Sequence, residues 1–230
     1  MEFMYSMVGF FSGGGIAMFP IAVVAAVGAA IAIERYVTLT RLGAKNRNAW
    51  AQLQPVLASG DFDKARAMTQ NDDTAISQLL GSGLARQGAV RRREDVEVAM
   101  EESMMEIVPQ LEKRTHYLAT FANLATLLGL LGTVSGLIHA FGAVATVNPA
   151  DKANLLSASI SEAMNCTAFG LMTAVPFVFI HAFLQTKTIE LVTGLEMACT
   201  KFLNAVTERQ AQRAQGRLGL VQPQAHAAQA

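Results

Sequence analysis

Three polar side chains in two largely apolar segments are the candidates for chemistry: Thr133, Glu162 and Thr167. A carboxyl group inside a membrane segment is costly enough to be a functional candidate by default, although Glu162 could instead be solvated near the outer interface or cap a neighbouring chain. A threonine hydroxyl can orient water or a carboxyl group, because it both donates and accepts hydrogen bonds, but it releases no proton near neutral pH. The two threonines therefore cannot carry a proton, and the chain lacks a titrating carrier at mid-membrane.

Glu162 and Thr167 cannot point the same way from one helix. At 100° per residue they lie about 140° apart, whereas Cys166 and Phe169 share the face of Glu162. We therefore expect different roles, with Glu162 near the outer mouth or at a subunit contact and Thr167 deeper, beside the pore.

Glycines interrupt the two segments that carry these polar residues. Gly132 and Gly136 have the four-residue spacing of small residues that lets membrane helices approach closely. Gly129 removes a further side chain from the same segment, and Gly170 is assigned the same role in the next one. The purely structural interpretation of this pattern is a helix-packing seam, which Gly-rich membrane helices commonly form.

A hydrolytic alternative rests on Ser135, with His139 one turn further on or His181 in the next helix. A nucleophile and its base must come within hydrogen-bond reach, and three helices give little enclosure for a water-filled site. We therefore predict that the chain is not an enzyme. No metal or cofactor is predicted, because Cys166 and Cys199 are best explained as small apolar filler.

Composition and charge favour a membrane protein. The chain is 52% hydrophobic and only 16% charged, and Thr115 to Ala150 contains no Lys, Arg, Asp or Glu. About 20 apolar residues suffice to cross the hydrocarbon layer. The basic run Arg91 to Arg93 is followed directly by acids, so it indicates a solvated face rather than a nucleic-acid patch.

The distribution of basic residues predicts the topology. Most of the 18 Lys and Arg residues lie between Arg35 and Arg114, and none precedes Arg35. Basic residues concentrate in cytoplasmic loops, so the amino terminus is predicted outside, the large loop inside and the carboxyl terminus inside. This arrangement requires three crossings.

The sequence thus predicts an all-α integral membrane protein with three transmembrane helices and long cytoplasmic helical extensions. The predicted boundaries are a periplasmic amphipathic segment (1–14), transmembrane helix 1 (15–36), a cytoplasmic helical region (37–114), transmembrane helix 2 (115–145), a periplasmic loop (146–156), transmembrane helix 3 (157–186), a cytoplasmic helix (187–207) and a disordered cytoplasmic tail (208–230).

Local signals refine this plan. Gly60 is expected to end a helix, and Asp61 to cap the next one. The turn that ends the second crossing is expected at Val147 to Asp151, because its proline disfavours helix at the residue before it. The pattern from Glu94 to Arg114 predicts a helix, and no residue from Glu112 onward breaks it before Gly129, so it is expected to continue into the membrane.

Three separated motifs resemble the MotA/TolQ/ExbB proton-channel family, and most closely its TolQ/ExbB branch. They span most of residues 13–205, and the chain departs from the family pattern at Thr126, where a proline is usual, and at Ser135, where an aromatic residue is common. The matching stretches are Gly13-Gly14 with Met18, Pro20 and Ile33-Glu34-Arg35; Gly129 to Val134 with Gly136 and Ala140-Phe141; and Ser161 to Leu171 with Ala174-Val175-Pro176.

The resemblance implies a function in energy conversion. Thr133 and Thr167 match the two threonines that line the family's ion pathway, and Glu162 is grouped with them. A single-helix partner of the ExbD/TolR/MotB type would supply a membrane Asp, and copies of this chain would form a homo-oligomeric, pentameric ring around it in the bacterial inner membrane. The ring would convert proton-motive force into mechanical work at the envelope. The alternative is a scaffolding membrane protein that conducts no ions.

Overall fold

The computed structural model describes residues 15–87 and 93–227, with side chains to residue 212. Within these residues the chain is helical and contains no strand, which confirms the all-α class. The predicted amphipathic segment at residues 1–14 lies outside the described residues. The described residues form six helices: α1 (Met18–Ala58), α2 (Phe62–Gln70), α3 (Ala75–Gln87), α4 (Arg93–Glu112), α5 (Thr115–Val144) and α6 (Lys152–Ala227).

In the part of the chain that the structure describes, three stretches of helix are long and apolar enough to cross a membrane. They lie in α1, in the α4–α5 stretch Arg93–Val144, and in α6 between Lys152 and Gln212. The predicted number of spanning helices is therefore confirmed. The chain divides into two compact units, which we name the membrane unit (Met1–Val37 and Lys113–Thr186) and the peripheral unit (Thr38–Glu112 and Lys187–Ala230).

The expected continuous helix from Glu94 into the membrane is broken in the structure. α4 ends at Glu112, and Arg114 adopts the left-handed conformation (φ 67°) before α5 begins at Thr115. This conformation is unfavourable for a residue with a Cβ, so tertiary contacts must hold it. Arg114 Nη1 lies 3.5 Å from Glu34 Oε2 on α1, and Leu118 in the first turn of α5 is fully buried. The break thus lies beside a long-range contact that local sequence does not reveal.

The start of α2 agrees with the prediction. Gly60 has φ 73°, a conformation that favours glycine. The backbone N–H of Lys64 donates a hydrogen bond to Asp61 Oδ1 (3.1 Å), so the predicted cap at Asp61 is confirmed. Ala65 and Thr69 lie on the buried face of the short helix.

Large apolar side chains form the core of the peripheral unit. Helices α3 and α4 pack against each other and against the end of α6, where Phe202 is fully buried. Their burial stabilises the unit through the hydrophobic effect. The most deeply buried members are Leu79, Leu80, Val96, Met100, Leu195, Phe202 and Val206.

The structure differs from the predicted tail. α6 continues to Ala227, whereas the sequence predicted a helix ending at residue 207 and disorder from Glu208. Ala, Gln and Arg dominate the residues that follow Glu208, and all three are strong helix formers. The turn at Val147 to Asp151 is confirmed: α5 ends at Val144 and α6 begins at Lys152.

Candidate functional site

The candidate site is built on the seam between α5 and α6 in the membrane unit. A Cβ added to Gly170 would lie 2.7 Å from the backbone oxygen of Ala125 and 3.0 Å from Gly129 Cα. A Cβ added to Gly129 would lie 3.3 Å from the Cα atoms of Gly170 and Thr167. The two backbones therefore touch at this level, which only small residues permit.

The seam continues toward the start of α6 through two further glycines of α5. A Cβ at Gly136 would meet Ala163 Cβ at 2.8 Å, and a Cβ at Gly132 would collide with the sulfur of Cys166. Cys166 is 1% exposed, so its thiol fills the notch that Gly132 leaves. The four predicted packing glycines thus all lie on one contact surface, with Cys166 as filler.

The hydroxyl of Thr167 crosses this seam. Thr167 Oγ1 donates a hydrogen bond to the carbonyl oxygen of Gly129 at 2.9 Å. In an α-helix the backbone N–H of Thr133 donates to that same carbonyl, because it lies four residues further on. The Gly129 carbonyl therefore links the two threonines that the sequence singled out, although their side chains do not bond to each other.

The hydroxyl of Thr133 is also committed as a donor. Thr133 Oγ1 donates to the carbonyl oxygen of Leu130 on its own helix at 2.7 Å. A threonine hydroxyl has one proton and two lone pairs, so both threonines keep only acceptor capacity for other groups. In this arrangement each threonine hydroxyl can accept a hydrogen bond from water or from a protonated acid. Neither hydroxyl has a free proton to donate to a carboxylate.

Glu162 lies apart from the two threonines. Its side chain is exposed, and its carboxyl group lies against the backbone of Gly15 (φ 66°), in the position that a Cβ at residue 15 would occupy. Thr167 is five residues further along α6, a rise of about 7.5 Å. Glu162 therefore contacts the chain just before α1, one to two helical turns away from the threonine level.

The structure also shows an ionic contact at the other end of the membrane unit that the sequence analysis missed. The sequence analysis assigned no contact to Glu34, but its carboxylate lies 3.5 Å from Arg114 Nη1 and 3.9 Å from Arg35 Nε. Arg35 is 4% exposed and its Nε has no hydrogen-bond partner. The contact between Arg114 and Glu34 could not be read from spacing, because the two residues are far apart in sequence.

The hydrolytic alternative gains no support. Within the described ranges, Ser135 forms no hydrogen bond with His139 or His181. Among the described residues, no three or more potential metal ligands cluster together.

Residues 71–197, more than half of the chain, match the MotA/TolQ/ExbB proton channel family. The chain is 33% identical over 109 residues to the Tol-Pal system protein TolQ of Haemophilus influenzae, an alignment that covers 47% of this chain and 46% of the relative. It is 30% identical over 118 residues to TolQ of Pseudomonas aeruginosa, covering 47% and 51% respectively.

An ExbB protein is also similar. The chain is 33% identical over 91 residues to the biopolymer transport protein ExbB of Aquifex aeolicus, covering 38% of this chain and 59% of the relative. The match to the two TolQ proteins spans about half of their length. The range that matches the family, residues 71–197, includes the α5–α6 seam.

Proposed function

The chain belongs to the MotA/TolQ/ExbB proton channel family, and from this premise we propose that it is the channel-forming subunit of an ion-driven envelope motor. In this proposal several copies form a ring, a pentamer, around a single-helix partner of the ExbD/TolR/MotB type. The complex converts proton-motive force into mechanical work. Its activity is transport and not enzymatic catalysis, with H⁺ as the transported ion and no cofactor.

The chain is a multi-pass inner-membrane protein with three apolar helices. Its orientation belongs to the proposal: the amino terminus and the turn around Asn148 face the periplasm, and the peripheral unit faces the cytoplasm. The support is the skewed distribution of Lys and Arg, which favours the cytoplasmic side for residues 35–114.

The observation that carries the proposal is the state of the two threonine hydroxyls. Both donate to backbone carbonyls, Thr167 to Gly129 and Thr133 to Leu130. Their remaining lone pairs suit a hydrogen-bond donor, and a protonated carboxylic acid is such a donor. A membrane Asp of the partner would therefore be stabilised in its neutral form beside these residues.

This preference gives the threonines a role in coupling. A neutral acid crosses an apolar region at far lower cost than a carboxylate, so acceptors that favour the protonated form assist the movement of the loaded carrier. Release then requires the acid to leave the threonines and meet water or a hydroxyl free to donate. One proton yields only about 2.3 kcal/mol per 100 mV, so a misplaced acid would consume much of the available work.

The proposal is tested by reconstitution. The chain, purified alone and in complex with its single-helix partner, is placed in liposomes and proton flux is followed with an internal pH-sensitive dye. We expect flux only with the partner, and expect it to be lost when the partner's membrane Asp is replaced by Asn. Rapid proton flux through the chain alone would contradict the proposal that the partner supplies the proton carrier. A complex that conducts no protons would favour the scaffolding alternative.

The orientation is tested separately by thiol labelling in a Cys199→Ala background. A cysteine at Asn148, which is exposed in the turn between α5 and α6, should react with an impermeant maleimide from the periplasmic side. A cysteine at Asn48, exposed on α1, should react only after the membrane is opened. The reverse pattern would contradict the topology.

A further inference from the structure

The peripheral unit contains a cavity of about 350 Å³ between the second half of α1 and the part of α6 after Lys187. Its floor is apolar and is formed by Leu39, Ile76 and Leu195, each at most 4% exposed. Asn46 also lines it, is 6% exposed, and has no hydrogen-bond partner at either atom of its amide. Buried amides in folded proteins almost always have partners, so this cavity is incomplete within one copy.

The helix on one side of the cavity is basic. From Thr38 to Ala58, α1 carries three cations, Arg41, Lys45 and Arg47, and no acid. Arg47 is exposed at the cavity, where Lys187 adds a second cation and Glu190 is the acid among the lining side chains. The surface around the opening therefore has a net positive charge.

A complementary surface lies elsewhere on the same unit. α4 carries seven acids, Glu94, Asp95, Glu97, Glu101, Glu102, Glu106 and Glu112, against one cation, Arg93. Val98 and Met105 project from its outer face and are 61% and 75% exposed. They are seven residues apart, so they share one face of the helix, with Glu101 and Glu102 between them.

The two surfaces do not satisfy each other within one copy. Among the described residues no ion pair joins an acid of α4 to Arg41, Lys45 or Arg47. One surface offers exposed apolar side chains flanked by carboxylates, and the other offers an apolar floor, an unpartnered amide and exposed cations. Charge complementarity of this kind sets the register and orientation of an interface.

We propose that the α1/α6 cavity of one copy receives the outer face of α4 from the next copy. Met105 enters the cavity, Glu102 pairs with Arg47, and the Asn46 amide bonds with a polar group of the inserted turn. The two surfaces are different patches of one chain, so the contact is head-to-tail and passes from copy to copy until a ring closes. The inference rests on the proposed ring and names the surface that joins its subunits.

Cross-linking in native membranes tests the contact directly. A Cβ at Gly194 would meet nothing within 4 Å, so a cysteine fits there at the cavity wall. Gly194→Cys is combined with Met105→Cys in a Cys199→Ala background and treated with a short bis-maleimide. Cys166 is the native thiol that remains in this background, and it is a poor competitor because it is only 1% exposed.

We expect a ladder of dimers, trimers and larger species, because only a head-to-tail contact links every copy to two neighbours. Each variant that carries only one of the two introduced cysteines should give no ladder. The pair Met105→Cys with Gln54→Cys should also give none, because Gln54 lies at an exposed site on α1 outside the cavity. Cross-linked products no larger than dimers would contradict this contact. The absence of cross-linked products in a complex whose mass shows an intact ring would also contradict the contact, but not the ring itself. A chain that stays monomeric would overturn both.

Charge exchange gives an independent test on the full complex. Arg47→Glu and Glu102→Arg should each weaken association of copies by about tenfold, as expected when a close interface pair becomes like-charged. The double exchange should restore assembly. An equal mixture of the two single variants should also assemble, because alternating copies place opposite charges at the contact in either order and a five-membered ring keeps only one like-charged contact. Equal assembly of both single variants and the native chain would show that these residues do not meet.

Discussion

The membrane unit and the peripheral unit use opposite packing strategies in one chain. In the membrane unit, α5 and α6 meet backbone to backbone at Gly129 and Gly170, and a single hydroxyl crosses between them. In the peripheral unit, Phe202 and Met100 fill a core of large apolar side chains. The same α6 takes part in both.

The difference follows from the solvent of each unit. In lipid, apolar side chains gain little by leaving their surroundings, so close approach and interhelical hydrogen bonds hold helices together. In water, burial of large apolar side chains is the main stabilising term. Substitutions should therefore have effects that depend on the unit, and the following experiments measure that dependence from the largest effect to the smallest.

The largest effect is expected at the seam. Gly170→Leu would place a side chain against the Ala125 carbonyl and Gly129, and neither backbone can move without separating α5 from α6. Gly132→Leu and Gly136→Leu should act in the same way. We expect loss of the assembled complex, measured by its mass after purification. Gly142→Leu is the control, because a Cβ there meets nothing within 4 Å; equal loss in this variant would remove the seam as the cause.

A large but local effect is expected from Phe202→Ala. Truncating a buried aromatic side chain costs about 3–5 kcal/mol, which should unfold the peripheral unit at lower denaturant concentration and expose it to protease. Ile189→Ala on the same helix, at a side chain that is 58% exposed, should change little. If both variants unfold at the same denaturant concentration, the assignment of Phe202 to the core and Ile189 to the surface of this unit is wrong.

Substitutions of Thr133 and Thr167 are expected to change stability little but to impair function strongly. Thr167→Val removes a bond worth about 0.6 kcal/mol in a membrane protein, and the Gly129 carbonyl keeps its intrahelical donor. The Thr133→Val, Thr167→Val double variant should assemble and yet fail to drive ion-dependent work.

Thr126→Val is the matched control for the threonine pair, because the Thr126 hydroxyl also donates to its own helix, at Ala122 (3.1 Å). Its activity should be normal. Normal activity in a fully assembled double variant would instead remove these hydroxyls from the ion pathway and favour the scaffolding alternative.

The smallest effect concerns pH and the peripheral unit alone. Burial by itself would raise the pKa of Asp72, but hydrogen bonds from Ser77 and Thr74, with Lys45 nearby, hold it below its ordinary value. Its ionised form therefore stabilises the fold above the unfolded pKa of about 3.9. This contribution disappears as the pH falls through the lower folded pKa.

Asp72→Asn should consequently destabilise the peripheral unit slightly at neutral pH, and the gap to the native chain should close in acid. Denaturation curves at a series of pH values measure this. Asp73→Asn is the control, because the Asp73 carboxylate has no described hydrogen bond. A gap that widens in acid would show that the sign is wrong.

Features set by short-range pattern could be predicted from the sequence. The three apolar stretches, the Asp61 cap, the turn at Val147 to Asp151 and the small-residue surface all follow from spacing and residue type. The family resemblance was visible for the same reason. Helix from Glu208 to Ala227 was missed because a polar, Gln- and Ala-rich composition was interpreted as disorder although its residues favour helix.

The sequence by itself determined which segments are apolar, where helices start and which residues carry hydroxyl and carboxyl groups, because those properties depend on neighbours within a few residues. Only the tertiary structure decided that Arg114 breaks the helix beside Glu34, that Thr167 donates to Gly129, and that Asn46 lines an unfilled cavity. Each of these depends on the distance between residues far apart in the chain. Spacing along one helix fixes the direction of a side chain, but the atom it meets is fixed by how two helices pack.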